Sequence, residues 1–497
     1  MYHFKLIYPM DSLMVISCRV VMNKRFLIFI FQILFIGNFF SQNLISNSLS
    51  KFLKSKEITN AFVSLKLQDQ FGKVLLSHNS KKLLVPASLQ KLFTTSYVLD
   101  HLSKDFVYNT YVLSSGLIDT NSKTLNGNLI INTSGDPSLE SRFFPTKSFI
   151  NDLKSKLVEL NIRSITGEIK IYPYFDNYQV NNQWLWSDLG NYYGSGYSLH
   201  SFKDNYVEVS FNSGNEIGSS TKIVKIDPIA DSFFLENSVL VGKSNRDLSY
   251  AFGAPMQNNR TLTGTIPRNK KNYVVKISMH DPKFFLKQAV ENACSEIGIL
   301  TGNISIEINE NLYFDTILVY TSPSIIDLVK CVNFKSNNNY AEHLLMKSVS
   351  LNHKDIDINH AADYLQLYWE DKLGLKEMIF KDGCGLSRLN LSSANALNNL
   401  LLYELERKIS NGEESFFKSL PISGKSGTLK YFGNESVFEE EFFGKSGSMC
   451  GIRCYSGYLH KNSKYYPFTI MVNNFTSNDY LIRKRIEELV VNIYNNI

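Results

Sequence analysis

The sequence has few cysteines and no long block of like charges. Its six cysteines in 497 residues are too few and too scattered to predict a disulfide framework. No spacing of cysteine and histidine is typical of a metal site, and the sequence indicates no cofactor. The net charge of +6 is spread along the chain, which gives no indication of nucleic-acid binding.

Long apolar runs are also rare, and the exception lies near the N-terminus. The basic residues 24 and 25 precede an apolar run at 26–37, which is short for a membrane span. A small or polar residue, Ser41, follows, as at the cleavage site of a secretory signal peptide. We therefore expect residues 1–42 to be a signal peptide, with Met22 as a possible true start, and the protein to be exported to the periplasm or cell envelope.

The remaining chain has an ordinary globular composition, with 44% hydrophobic and 20% charged residues. Residues 43–106 and 309–497 show an early hairpin, several helices, late strands and a terminal amphipathic helix. This order predicts one α+β domain whose antiparallel sheet uses both parts of the chain and is flanked by helices. Residues 107–308 contain short strands and many turns, and we expect them to be a β-rich insertion of two modules.

A serine and a lysine three residues apart mark a candidate nucleophile. Ser88 and Lys91 follow Pro86 at the start of a helical pattern, and residues i and i+3 share one helix face. A lysine can take a serine proton only if its pKa falls from about 10.4 towards 7, a bias of roughly 4 kcal/mol. The pair alone is weak evidence, because Ser48/Lys51, Ser219/Lys222 and Ser415/Lys418 have the same spacing.

Two further motifs follow the insertion. Ser336 and Asn338 offer a hydroxyl and an amide at the start of a helix, although an N-cap serine would look the same. Lys445-Ser446-Gly447-Ser448 leads into a strand and could bind a carboxylate along the strand edge. Lys425-Ser426-Gly427 is a competing copy, and we prefer Lys445 because a convincing strand follows it.

These motifs occur in the order known for class A β-lactamases and penicillin-binding proteins. From Ala61 to the C-terminus the chain resembles the D-alanyl-D-alanine carboxypeptidase/endopeptidase family of low-molecular-mass penicillin-binding proteins, peptidase family S13. The stretches that resemble the family are Ser134-Gly135-Asp136-Pro137-Ser138-Leu139, Asp382 to Asn390, Ser419 to Leu429 and Lys445 to Tyr458. Ser446, Asn337 and Cys384 depart from its commoner threonine, aspartate and serine.

The resemblance implies a β-lactamase/transpeptidase-like serine domain and a role for each motif residue. Ser88 would be acylated, Lys91 would be its base, and Ser336 would pass a proton to the leaving D-alanine. Asn338 would hold the substrate amide and Lys445 its carboxylate, beside Ser446, Gly447 and Ser448. The backbone N–H groups of Ser88 and Ser448 would form the oxyanion hole.

The implied substrates are peptidoglycan stem peptides, and β-lactam antibiotics would acylate the same serine. A serine β-lactamase is one alternative, but no Glu-x-x-Leu-Asn stretch follows Ser336. A catalytically weak cell-wall-binding relative is another, although all five main motif residues are present. An exported adhesin would explain only the insertion. The sequence leaves open the balance of carboxypeptidase and endopeptidase activity and the oligomeric state.

Overall fold

The structure is a computed structural model, and it describes residues 44–174, 178–229, 231, 233–302, 314–353 and 355–497. The expected signal peptide at residues 1–42 lies outside the described residues. None of the helices in these ranges combines the length and the apolar character needed to cross a membrane.

The helices and strands of the described residues have the following bounds, in chain order. The helices are α1 (described over 44–53), α2 (Gln90–His101), α3 (Phe149–Glu159), α4 (Trp186–Leu189), α5 (Pro282–Glu296), α6 (Ile325–Lys335), α7 (Asn338–Ser350), α8 (Ile358–Leu373), α9 (Ala394–Asn411), α10 (Ser415–Lys418) and α11 (Asp479–Asn496). The strands are β1 (Phe62–Gln68), β2 (Val74–His78), β3 (Asn109–Ser114), β4 (Ile118–Asp119), β5 (Thr124–Leu125), β6 (Leu129–Asn132), β7 (Ser164–Ile165), β8 (Ile169–Tyr172), β9 (Tyr206–Asn212), β10 (Lys222–Asp227), β11 (Phe234–Asn237), β12 (Leu240–Gly242), β13 (Leu248–Phe252), β14 (Asn259–Pro267), β15 (Tyr273–Ser278), β16 (Leu300–Thr301), β17 (Asp315–Thr321), β18 (Met378–Ile379), β19 (Leu391–Ser392), β20 (Phe442–Met449), β21 (Ile452–Lys461) and β22 (Lys464–Asn473).

The central sheet of the structure is antiparallel and has the order β2-β1-β22-β21-β20. It joins an early hairpin to late strands, as the sequence predicts, and also includes β20, which the sequence does not predict as a strand. Helix α11, the predicted terminal amphipathic helix, covers one face and buries its apolar stripe, which is Ile482, Ile486, Leu489, Val490 and Ile493. The predicted α+β class, with an antiparallel sheet flanked by helices and a β-rich insertion, is confirmed.

The strand β1 differs from its prediction. Its alternation of apolar and polar residues predicts a half-buried strand, but all of its residues after Phe62 are buried. Helix α9 covers the polar face, where the Lys66 ammonium donates to Asn395 Oδ1 at 2.6 Å and Asn398 donates to Gln68 at 3.1 Å. Polar side chains on α9 therefore supply hydrogen-bond partners for the polar face of β1. The alternation in the sequence cannot reveal that this face is buried.

The helix α2 lies at the centre of the helical layer. Nine of its residues, from Gln90 to Val98, are buried, and it packs against α6, α7, α8 and α9. A helix surrounded in this way cannot move its first turn without disturbing its neighbours. This burial fixes the position of Lys91.

In the part of the chain that the structure describes, the insertion forms four small sheets around a shared apolar core that runs from Val112 to Tyr320. Strand β17 (Asp315–Thr321) pairs with β3, so residues 315–321 lie with the insertion and not with the segment that was predicted to begin at 309. We propose that the division of the chain at 107–308 be extended to residue 321, and that the insertion be treated as one unit instead of two modules.

Candidate active site

The candidate nucleophile lies in a tight turn before α2. Pro86 caps a 3-10 turn over Ala87–Leu89, and Ala87 has a left-handed φ of 48°. The Lys91 ammonium donates to Ser88 Oγ at 3.2 Å, as the spacing of three residues predicts. Ser88 is half-buried and Lys91 is fully buried, so only the serine faces solvent.

The second motif lies between two helices. Ser336 ends α6 with a left-handed φ of 54°, and Asn337 caps α7 by accepting from the N–H of Tyr340. The alternative in which Ser336 is an N-cap is therefore wrong. Asn338 Oδ1 accepts from Lys91 at 2.6 Å, and its Nδ2 donates to the carbonyl of Tyr193 in the insertion at 2.8 Å.

The third motif lies inside the edge strand β20. The prediction of a strand after the motif is correct, but the motif itself forms a further strand, paired with β21. The Lys445 ammonium is fully buried and donates to Ser336 Oγ at 2.9 Å and to the Ser446 carbonyl at 2.8 Å. The competing Lys425 is exposed and pairs with Glu440 at 2.6 Å.

The strand β20 lies directly against the nucleophile turn. A Cβ atom at Gly447 would lie 2.6 Å from the Pro86 carbonyl oxygen and 3.3 Å from the Leu89 nitrogen. Glycine therefore allows the strand to approach this closely. Ser448 follows on the same strand and lines the cleft together with Ser88.

The two buried lysines have strongly altered electrostatics. Burial lowers the pKa of Lys91, against the opposing influence of Cys384, Asp382 and Glu342. Burial also holds the pKa of Lys445 well below its usual range, and the charge of Lys91 adds to this effect. A lysine with a lowered pKa can lose its proton near neutral pH and act as a base.

The floor beneath Lys91 is the loop that follows β18. The Cys384 carbonyl accepts from the Lys91 ammonium at 2.5 Å. The Asp382 carboxylate accepts four hydrogen bonds, from the backbone of Gly385 and Ser387 and from the side chains of Trp184 and Asn390. This loop therefore orients the candidate base through a main-chain oxygen.

A cleft of about 470 Å³ runs over these groups. It brings together Ser88, Ser336, Asn338 and Ser448, which the sequence separates by up to 360 positions. Lys91, Lys445, Ser446 and Gly447 line no part of it, since they lie beneath or beside it. The sequence analysis gave no site role to the other lining residues, which come from the insertion, from the end of α6, from the loop after β18 and from the end of β20: Leu185, Ser187, Asp188, Tyr192, Tyr193, Tyr250, Lys335, Gly385, Leu386, Arg388, Met449 and Cys450.

Two of the stretches that carry the resemblance lie away from the cleft lining. Asp136 is buried in the insertion and accepts from the N–H and the hydroxyl of Ser138. The loop around Gly424 closes on itself, with the Gly424 N–H donating to Leu429 and Phe432. Local hydrogen bonds hold both stretches, and neither lines the cleft.

One cluster has the spacing of a metal site within the described residues. Its members are Glu342, Asp382 and Cys384, whose ligand atoms lie within 4.8 Å of one another. The donors already bonded to Asp382 and the adjacent Lys91 ammonium both disfavour a cation there. The cluster therefore does not suit a metal.

The sequence is similar to those of known D-alanyl-D-alanine carboxypeptidases. The model of the D-Ala-D-Ala carboxypeptidase 3 (S13) family matches residues 45–495. The chain is 22% identical over 441 residues to the D-alanyl-D-alanine carboxypeptidase DacB of Haemophilus influenzae, which covers 86% of this chain and 88% of that protein. It is 23% identical over 424 residues to a D-alanyl-D-alanine carboxypeptidase of Actinomadura sp., with 81% and 76% covered.

The solved structures agree on the fold. The crystal structure of penicillin binding protein 4 (dacB) from Haemophilus influenzae superposes with a TM-score of 0.74 at 19% identity, over 90% of this chain and 98% of that one. A second structure of that protein, in complex with a β-lactam, has a TM-score of 0.69. Since the family model spans almost all of the sequence, the protein belongs to the D-Ala-D-Ala carboxypeptidase 3 (S13) family of peptidases.

Proposed function

We propose that the protein is a serine-type D-Ala-D-Ala carboxypeptidase or DD-endopeptidase that acts on peptidoglycan stem peptides through an acyl-enzyme. The observation that supports this most is that each of the two buried lysines forms a hydrogen bond with a serine that lines the cleft. Lys91 contacts Ser88 and Asn338, and Lys445 contacts Ser336. A nucleophile and an adjacent base are the groups that acyl transfer requires, and a second hydroxyl can carry a proton to the leaving group.

Acylation begins at Ser88. The neutral amine of Lys91 accepts the Ser88 proton while Oγ attacks the carbonyl carbon of the penultimate D-alanine. The negative charge that develops on the carbonyl oxygen is stabilised by the N–H groups of Ser88 and Ser448. Removal of one such donor typically costs about 3–4 kcal/mol of transition-state stabilisation.

The leaving group departs on the side of Ser336. The Ser336 hydroxyl donates a proton to the amine of the departing D-alanine and recovers one from Lys91 or Lys445. Asn338 holds the amide of the substrate, and Lys445 and the Ser446 hydroxyl bind the terminal carboxylate. Water then attacks the ester at Ser88 and releases the shortened peptide.

A β-lactam would react with Ser88 by the same route, but the reaction would stop at the ester. Its strained amide acylates Ser88, but its leaving group remains attached and obstructs the water. This chemistry needs no metal or organic cofactor. We further propose that the protein is exported to the periplasm or cell envelope, where its polymeric substrate lies.

The decisive experiment is mass spectrometry of the intact protein after exposure to benzylpenicillin. We expect a mass increase of one penicillin, located at Ser88 by peptide mapping, and no increase in Ser88→Ala. An adduct on another serine, or none on folded wild-type protein, would refute the assignment. Rapid loss of the adduct would favour the serine β-lactamase alternative, and an adduct without release of D-alanine from peptides would favour a catalytically weak relative.

A further inference from the structure

A buried acid behind Lys91 has no part in the mechanism above. Glu342 lies in α7, four residues after Asn338, and is 1% exposed. Neither of its carboxyl oxygens has a hydrogen-bond partner of ordinary geometry among the described residues. Because a buried and unsatisfied polar group is unfavourable, such a residue needs an explanation.

The carboxyl group faces the floor of the active site. It lies within 4.8 Å of the Cys384 thiol and of an Asp382 oxygen. The thiol and the backbone N–H of Cys384 are its polar neighbours, at a geometry looser than a standard hydrogen bond. The carbonyl of the same Cys384 accepts from Lys91, so a single residue separates Glu342 from the candidate base.

Charged and titratable groups approach this cluster from three elements. Lys91 comes from α2, Asp382 and Cys384 come from the floor loop, and Lys445 on β20 acts on Lys91. Burial and the charge of Asp382 together raise the pKa of Glu342 to about 8, against the opposing influence of Cys384 and Lys91. Asp382 accepts four hydrogen bonds, which is the pattern of an ionised carboxylate.

An acid, Glu342, and a base, Lys91, therefore both lie next to Cys384. An ionised Glu342 would join Asp382 in holding Lys91 protonated, whereas a neutral Glu342 leaves Lys91 with one acidic neighbour. The charge on Glu342 therefore determines how readily Lys91 gives up its proton.

We propose that Glu342 is a positioning residue that acts through Lys91, the two side chains sharing their protons as a coupled pair. This inference rests on the proposed function, in which neutral Lys91 is the base. When the pair loses its first proton, that proton leaves either Lys91 or Glu342. Only the state in which Lys91 has lost the proton is active. The wild-type protein therefore becomes fully active only after a second proton leaves at higher pH.

The test is the pH dependence of Ser88 acylation by a chromogenic β-lactam in the full-length protein. Glu342→Gln keeps the shape of the side chain and removes its charge. Glu342→Met is a second variant, since an apolar side chain of similar length carries no buried polar atom of its own. Glu404→Gln is the matched control, because Glu404 is also buried, with a pKa raised to about 7, but contacts Ser96 and Arg407 away from the cleft.

For wild type and Glu404→Gln we expect an acid limb broader than a one-proton titration. For both Glu342 variants we expect a one-proton limb whose midpoint is lower by about one pH unit, so that acylation on the limb is up to about tenfold faster. A one-proton limb in wild type would overturn the inference without any variant. An unchanged or higher midpoint, or an equal loss at every pH, would also overturn it, since these are the results of a purely structural role. Failure of the wild type to be acylated at Ser88 at any pH would instead refute the proposed function.

Discussion

Two lysines in this chain share the local sequence Lys-Ser-Gly but differ in their surroundings. Lys445 is fully buried against Ser336, whereas the side chain of Lys425 is 55% exposed and pairs with Glu440. An exposed ion pair of this kind contributes little to stability. Burial, and not the local sequence, therefore favours Lys445 over Lys425 as the third motif.

We expect Lys445→Ala and Lys425→Ala to differ sharply in kcat/KM. A charge-assisted hydrogen bond to a carboxylate contributes about 1.5–3 kcal/mol, or about one to two decades in kcat/KM. Lys445→Ala should lose at least that much on D-Ala-D-Ala peptides, while Lys425→Ala stays within a factor of a few of wild type. Released D-alanine in a steady-state assay measures both. If Lys425→Ala were the impaired variant, the third motif would be misplaced by about twenty residues.

The sequence predicts contacts within one turn of helix better than contacts across the fold. The spacing of Ser88 and Lys91 predicts their approach, because helix geometry alone fixes it. The approach of Glu342 to Cys384 and the bond from Asn338 to Tyr193 join residues 42 and 145 positions apart. Such contacts depend on how whole elements pack, and no local pattern marks them.

Among the elements, the strand β20 depends on a glycine at one position. It passes so close to the nucleophile turn that a side chain at Gly447 would meet the Pro86 carbonyl oxygen. The sequence predicts the neighbouring strand but not this one, because Lys-Ser-Gly-Ser has low strand propensity. Pairing with β21 overrides that preference.

We expect Gly447→Ala to separate β20 from the turn. The added methyl group would lie 2.6 Å from a backbone oxygen, which cannot move aside as a side chain can. Overpacking of this kind costs roughly 1–3 kcal/mol, and the acylation rate should fall because Ser448 moves with the strand. Thermal unfolding and the rate of β-lactam acylation measure the two effects.

Gly214→Ala provides the control for this substitution. Its Cβ would approach no atom closer than 3.8 Å, and its φ is not left-handed. Its melting temperature and acylation rate should match those of wild type. Equal behaviour of the two variants would show that β20 does not need the close approach.

Across the whole molecule, the insertion and the catalytic helices meet at a buried polar interface along α7. The Tyr340 hydroxyl donates to Ser141 Oγ at 2.6 Å and lies 3.1 Å from Asp204 Oδ1, and Asn205 donates to Asn339 at 3.3 Å. Because α7 carries Asn338, the insertion contributes to the rigidity of the second motif. Composition and strand patterns predict that the insertion exists, but they do not predict this interface.

The whole molecule should need no disulfide. The cysteines at 294, 331, 384, 450 and 454 are free thiols, and all except Cys450 are buried. We expect the mature protein to keep its melting temperature and its acylation rate under mild reductant. A loss of either under reductant alone, measured beside an unreduced sample, would contradict this expectation.

The central sheet also constrains how the protein folds as it is synthesised. Strand β1 lies between β2 and β22, and its partners on β22 are about four hundred residues further along the chain. Until β22 emerges, the apolar side chains of β1 have only a two-stranded hairpin to pack on, which is marginally stable in water. Strand β1 can therefore complete its pairing only after the last strands of the chain have been synthesised. Long-range pairing of this kind is slow and exposes apolar surface to aggregation, so the nascent chain is a natural client for chaperones.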